Sequence, residues 1–243
     1  MQLIILASGR GSRLKKFTKN KPKIFLQVYK KLTIFDFISR IFSFFNKVII
    51  VAGYKHKYVK KKINNFKIKI IENKKYKNTN MVESLFLAKK NITEDVVVVY
   101  GDIFFETNII KKLMTQKKTT LPLYNKWFWL WKKRMNLKKI KHDAENLKVS
   151  KNRILSIGGK IKKKYPKLQF MGIIKLIKKD YFNLMKFYNK INNKNIDLTR
   201  FLNLAIENKI VKISYFQTNK LWLEFDNSSD YRISKNILKN ELS

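Results

Sequence analysis

The run Leu3-Ile4-Ile5-Leu6-Ala7-Ser8-Gly9-Arg10-Gly11-Ser12-Arg13-Leu14, followed by Pro22-Lys23, decides how this chain is read. An apolar run that ends in small residues and glycine predicts a buried strand delivering the backbone into a loop at its C-terminal edge. Phosphate can sit in such a loop. Gly9 and Gly11 let the backbone approach an anion and turn successive N–H groups toward it, while Ser12 and Arg13 add a hydroxyl and a forked cation. Lys23, behind a proline-stiffened turn, brings a second positive charge. The spacing matches neither G-x-G-x-x-G nor G-x-x-x-x-G-K-[ST], so the loop is neither the dinucleotide fingerprint nor a P-loop.

Working outward, Phe35, Ile38, Ile41, Phe42 and Phe45 fall at helical spacing and predict a helix over 33–46, followed by an apolar strand over 47–53. A helix over 56–63, a strand over 66–72, a helix over 81–90 and an apolar strand over 95–100 continue the pattern. Strands alternating with helices imply a parallel sheet covered on both faces, with loops gathered along one edge by right-handed crossovers. Ligands bind at that edge. The second half is less regular, with short strands expected over 146–150, 153–158, 168–176, 211–217 and 221–226, and helices over 179–192, 198–208 and 229–240. Only 7 Gly and 3 Pro punctuate the chain, and no repeat or linker divides it, so a single domain spanning 1–243 is expected.

Composition narrows the function. Lys and Arg number 55 against 16 Asp and Glu, for a net charge of +39, which on its face suggests a polyanion partner. The basic residues are nevertheless spread evenly, 21, 18 and 16 over successive thirds, instead of forming a binding stripe. No specific nucleic-acid partner is expected. The chain has no cysteine, which excludes disulfides, thiolate metal sites and a Cys nucleophile. No apolar run approaches the ~20 residues that span a bilayer, and the N-terminus enters a strand directly, so no transmembrane segment and a cytoplasmic location are expected.

With so few carboxylates, each one is informative. Asp102, in Tyr100-Gly101-Asp102, ends the strand over 95–100 at the same sheet edge as the glycine loop, as a ligand or as a cap. Asp226 lies in Trp222-Leu223-Glu224-Phe225-Asp226-Asn227-Ser228-Ser229-Asp230-Tyr231, where strand alternation puts Trp222, Glu224 and Asp226 on one face. Asp230 reads as a cap or first-turn charge of the helix that follows. Asn80 and Ser84, at i and i+4, present an amide and a hydroxyl on one helix face, and Asn80 also reads as an N-cap. His56 and His142 have no neighbouring nucleophile or ligand spacing and receive no catalytic role.

The string from Leu6 to Leu14, with Lys21-Pro22-Lys23, resembles the signature loop of the nucleotidyltransferases that activate phosphorylated small molecules, such as sugar-phosphate nucleotidylyltransferases and phosphocholine cytidylyltransferases. Asn78–Leu85, Gly101-Asp102 and the segment from Trp222 to Tyr231 resemble further motifs of that family, and the likeness runs over residues 2–239. It implies an α/β, Rossmann-like nucleotidyltransferase fold of GT-A-like type: a mostly parallel mixed sheet flanked by helices, with a small acceptor-side insertion over about 120–165. It further implies nucleotide contacts from Leu6, Ala7, Ser8, Gly9, Gly11, Ser12, Arg13, Asn80, Ser84 and Gly101, catalytic cations at Arg13 and Lys23, and Mg²⁺ on Asp102 and Asp226.

On the acceptor side, Trp131-Lys132-Lys133-Arg134, Asp143-Ala144-Glu145 and Gly158-Gly159-Lys160 resemble the insertion of one subgroup. Arg134 and Lys160 are expected on the acceptor phosphate, one of Trp127, Trp129 and Trp131 against a substituted ammonium or in packing, and Gly172 where substrate approaches. Asp197-Leu198-Thr199 resembles the start of a pocket-lining helix. Arg10 departs from the family, which carries Met, Leu or Phe there. The implied reaction transfers CMP from CTP to phosphocholine, a phosphonate or a phosphorylated amino acid amide and releases pyrophosphate. A sugar-1-phosphate acceptor with another nucleotide is the alternative, and a non-catalytic nucleic-acid binder is the alternative from another class. Phe-rich helices offer a face for a homodimer.

Overall fold

The computed structural model describes residues 1–63, 65, 67–161 and 164–242. Phe66, where the strand over 66–72 was expected to begin, and residues 162 and 163 of the expected insertion lie outside the described residues.

The first half runs through β1 (Gln2–Ala7), a hairpin of β2 (Gln27–Tyr29) and β3 (Leu32–Thr33), α1 (Ile34–Ser39), β4 (Lys47–Ala52), α2 (His56–Lys62), β5 (Ile68–Glu72), α3 (Met81–Leu87) and β6 (Val96–Tyr100). It continues through β7 (Ile103–Phe105), α4 (Thr107–Met114), β8 (Thr120–Tyr124), α5 (Trp127–Arg134) and α6 (Leu137–Asp143). The second half adds β9 (Glu145–Ser150), β10 (Arg153–Lys160), β11 (Gln169–Phe170), β12 (Ile173–Leu176), α7 (Lys178–Lys190), α8 (Leu198–Glu207), β13 (Ser214–Thr218), β14 (Trp222–Glu224) and α9 (Ser228–Leu242).

Ten strands form one sheet in the order β5-β4-β1-β6-β12-β8-β13-β10-β9, with β11 on β8. Seven run in the same direction, and β10, β11 and β12 oppose them. The continuous apolar runs of β1, β4 and β6 follow from burial on both faces. Leu3 and Ile5 point into one core beneath α1, α4, α5 and α9, while Ile4 and Leu6 point into a second beneath α3, α7 and α8. No helix among the described residues is long and apolar enough to cross a membrane.

Register places the site. Ala7 lies opposite Ala52 on β4, and Leu6 opposite Tyr100 on β6, so the loops after three parallel strands open along one edge. A separate ribbon pairs β14 with β7 antiparallel, Glu224 against Ile103, and the Phe225 N–H donates to the Asp102 carbonyl at 3.1 Å. The C-terminal carboxylates thereby arrive beside Asp102.

Several local readings change. The helix expected over 33–46 begins with a capping box between Thr33 and Asp36 but ends at Ser39, and a 3-10 turn at Phe42–Phe44 carries the chain on. Ile38, Ile41 and Phe45 are still buried, so the periodicity identified a face and overstated a length. The strand expected over 168–176 divides at Met171-Gly172, where Gly172 adopts φ +73° and a Cβ would sit 2.8 Å from the Tyr100 ring. The sequence reading passed over the elements between 103 and 143. Residues 120–165 contain α5 and α6, but also β8, which sits inside the main sheet between β12 and β13. Pro122 disguises β8, because proline removes a ladder donor. On that side β12 pairs only as far as Thr120 and β11 begins at Leu123, so Pro122 falls in the gap between them.

Candidate active site

The glycine loop is shaped by backbone demands. Gly11 adopts φ +65° and starts the 3-10 turn Ser12–Thr18, and the Thr18 hydroxyl closes that turn by donating to the Gly11 carbonyl at 2.8 Å. A Cβ on Gly11 would lie 3.2 Å from Thr18 and 3.4 Å from Lys23. Gly101 packs tighter still: its N–H donates to the Leu6 carbonyl, and a Cβ there would fall 2.9 Å from the Ala7 Cβ and 3.0 Å from that carbonyl. Arg10 is exposed and lies over the Tyr54 ring at 5.8 Å, so its bulk falls outside the loop.

Three carboxylates converge across the edge. Lys23 Nζ donates to Asp102 Oδ2 at 2.7 Å and to Asp226 Oδ1 at 3.3 Å, and Arg13 Nη1 lies 2.7 Å from Asp226 Oδ2. Glu224 joins them, and carboxylate oxygens of Asp102, Glu224 and Asp226 lie within 4.8 Å of one another. Burial opposes the charge on Lys23, but Asp102 and Asp226 outweigh it and raise its pKa. Burial pushes Glu224 up to about 7, against the pull of Arg134, and the neighbouring aspartates push the same way as burial. Asp102 Oδ1 is buried and has no hydrogen-bond partner among the described residues. A carboxylate with one buried oxygen lacking a donor, close to two further carboxylates, fits a hard divalent cation.

Leu6, Ala7, Ser8, Gly9, Gly11, Ser12, Arg13, Lys23, Asn80, Ser84, Gly101, Asp102 and Asp226 all line one cleft of about 280 Å³. The structure adds Asn73, Tyr76, Thr79, Tyr100 and Glu224 to its walls; Thr79 and Tyr100 stand inside motifs quoted from the sequence, Glu224 alternates with Asp226, and Asn73 and Tyr76 carried no sequence signal. Ser84 differs from expectation in what its hydroxyl does. It is 2% exposed, accepts from Asn73 Nδ2 at 3.0 Å and donates to Ser8 Oγ at 3.0 Å, while Ser8 donates to the Val51 carbonyl. This relay fixes the cleft wall. Asn80 caps α3 by accepting from the Met81 N–H.

The residues expected on the acceptor side are placed differently. Trp131 is 5% and Arg134 7% exposed, and neither lines the cleft. Arg134 Nη2 donates to Glu224 at 3.1 Å and to Asp230 at 2.6 Å, and its guanidinium lies 4.7 Å from the Trp131 ring centroid. Its Nε and Nη1 are buried without a partner among the described residues. Trp131 stacks on Trp222 at 5.6 Å and donates to Asp143 at 2.7 Å. The aromatic stretch therefore packs α5 onto β14, and Arg134 borders a separate groove with Met135, His142 and Asp143. Trp127 is buried as well, and Trp129 is 45% exposed in a separate groove. Gly172 makes room for the Tyr100 ring, and Lys160 is an exposed residue at the end of β10. Asp230 is 2% exposed and takes hydrogen bonds from Arg134 and Asn227, beyond the capping role read for it. The Thr199 hydroxyl lies 2.7 Å from Glu145 and 2.9 Å from Asp197, and burial raises the Glu145 pKa. Burial also raises Tyr100 well above its ordinary value, with Glu145, Asp102, Asp197 and Glu224 all contributing.

A glycine loop beside a carboxylate cluster, at the edge of a mixed α/β sheet, is the arrangement of a protein built to handle phosphate esters. A family model for the MobA-like NTP transferase domain matches residues 3–129, so the chain belongs to that family and is a nucleotidyltransferase. Similar proteins span the whole chain. One, the CTP:phosphoglutamine cytidylyltransferase of Campylobacter jejuni, is 32% identical over 96% of this chain and 98% of its own length. Another, the choline-phosphate cytidylyltransferase of Streptococcus pneumoniae, is 26% identical over 99% and 100%. The solved inositol-1-phosphate CTP transferase of T. maritima shares the fold, with a TM-score of 0.77 over 97% of this chain and 95% of that one at 22% identity.

Proposed function

We propose that the protein is a Mg²⁺-dependent cytidylyltransferase that transfers CMP from CTP to a phosphorylated small molecule carrying an amide or ammonium group, and releases pyrophosphate. The reading rests above all on one observation: carboxylate oxygens of Asp102, Glu224 and Asp226 lie within 4.8 Å of one another in a cleft that the glycine loop also lines. Full-length similarity to two cytidylyltransferases with phosphorylated, nitrogen-bearing acceptors supports the choice of nucleotide and acceptor.

The roles follow from the geometry. Backbone N–H groups of the loop from Ser8 to Ser12 take the triphosphate, and Gly101 lets the chain pass close behind it. Arg13 and Lys23 exchange their carboxylate partners for phosphate oxygens and offset charge developing on the leaving pyrophosphate. Asp102 and Asp226 would hold the divalent ion, which would neutralise charge on the triphosphate and polarise the attacked phosphorus. The cleft supplies no activated nucleophile and needs none, because an acceptor phosphate is already ionised near neutral pH.

Pyrophosphate release, measured with Mg²⁺ and each of four NTPs against phosphocholine, phosphonates, phosphorylated amino acid amides and sugar 1-phosphates, tests the reading. Acceptor-dependent release with CTP is expected. A preference for UTP or dTTP with a sugar 1-phosphate would overturn it.

A further inference from the structure

We infer that Arg134 is a specificity-determining residue for the cation: by binding Glu224 it leaves Asp102 and Asp226 as the carboxylates given to the divalent ion. This rests on the cation reading of the same cluster above. Carboxylate oxygens of all three residues lie close enough to share one ion, and what separates them is the counter-charge each already has.

Asp102 and Asp226 are paired with Lys23 and Arg13, which border the cleft where phosphate would enter. The Arg13 side chain is 71% exposed and free to follow a phosphate. Arg134 has no such exit. Its side chain is 1% exposed, and its Nη2 serves Glu224 and Asp230 at once. Asp230 is in turn held by the Asn227 amide at 2.7 Å. Trp131 covers the guanidinium, stacked on Trp222 and tied to Asp143. Lys23 is only 12% exposed but lines the same cleft as Arg13, which Arg134 does not, so a nucleotide in the cleft turns Arg13 and Lys23 toward phosphate, releases two carboxylates and leaves the third bound. An octahedral ion that must keep phosphate and water in its shell is served by two carboxylates, whereas a third favours a larger ion with more oxygen ligands. Arg134 therefore biases the site toward Mg²⁺ over Ca²⁺.

The test is direct binding of Mn²⁺, followed by its paramagnetic resonance signal, to the full chain with a non-reactive methylene analogue of CTP, with Mg²⁺ and Ca²⁺ as competitors. Asp102→Asn is expected to weaken Mn²⁺ by at least ~10-fold, while Glu224→Gln changes it by less than about 3-fold. Arg134→Gln should tighten Mn²⁺ and shift competition toward Ca²⁺ by ~10-fold, and that gain should vanish in Glu224→Gln/Arg134→Gln. A loss in Glu224→Gln as large as in Asp102→Asn would overturn the role given to Arg134, as would a gain that persists in the double variant. Should Arg134→Gln fail to fold, the isosteric Glu224→Gln decides alone. Unchanged Mn²⁺ affinity in Asp102→Asn would instead remove the cation reading itself, and this inference with it.

Discussion

Arg13 and Arg134 each bind a carboxylate of one cluster, at 2.7 and 3.1 Å, yet the first is 71% exposed and the second 1%. One stands at the mouth of the glycine loop, and the other is packed beneath α5. Chemistry that is identical on paper thus divides into an exposed cation at the glycine loop and a buried one beneath α5. Desolvation separates them: an exposed ion pair is worth little and exchanges partners readily, whereas removing one member of a buried pair strands a charge.

The comparison can be broken in order of effect. Arg134→Met should cost ~3–5 kcal/mol of stability, because Glu224 and Asp230 lose their shared donor, and denaturant unfolding measures it. A loss below ~1 kcal/mol would place Arg134 with the surface arginines. Asp102→Ala and Lys23→Ala should each lower turnover by at least ~10²-fold, about 2.7 kcal/mol of barrier, with the far-UV spectrum unchanged. Wild-type turnover in either variant would remove its residue from the chemistry.

Ser84→Ala breaks the relay from Asn73 to Ser8 and should cost ~1–3 kcal/mol, read by thermal unfolding and accompanied by weaker nucleotide binding. The pH dependence sharpens the picture further. Glu224 is raised from 4.5 to about 7, mainly by burial, so the stability linked to it is complete below pH 4.5 and lost as pH rises through 7. In chelator, the wild type should lose stability over that window relative to Glu224→Gln, and parallel curves would refute the shift. The smallest effect belongs to Arg13→Met, under ~1 kcal/mol in stability but with a clear fall in turnover.

The nucleotide end was legible because its parts are local. One continuous stretch from Leu6 to Arg13 supplies the loop, and the apolar runs of β1, β4 and β6 announce strands buried on both faces. Asp102 and Asp226, 124 positions apart, were found because each sits at a strand end in a chain poor in carboxylates, and the ribbon of β7 with β14 joins them. Trp131 and Arg134, expected on the acceptor side, were harder to place for the same reason. Trp131 and Arg134 have the residue types of a ligand site, and sequence spacing carries no information about which way α5 faces. Pro122 hid a central strand, and the periodicity over 33–46 continued past the end of the helix because the following turn buries the same face.

By itself, then, the sequence determined the alternation of strands and helices, the anion loop and the two aspartates, since backbone geometry, glycine and apolar period act over a few neighbouring residues. Only the tertiary structure decided that Ser84 is tied into the cleft wall, that Glu224 completes the carboxylate cluster, and that Arg134 is held inside the protein. Those assignments depend on burial and on partners 90 and 96 positions away for Arg134, and 76 away for Ser84, brought within hydrogen-bond reach by packing alone.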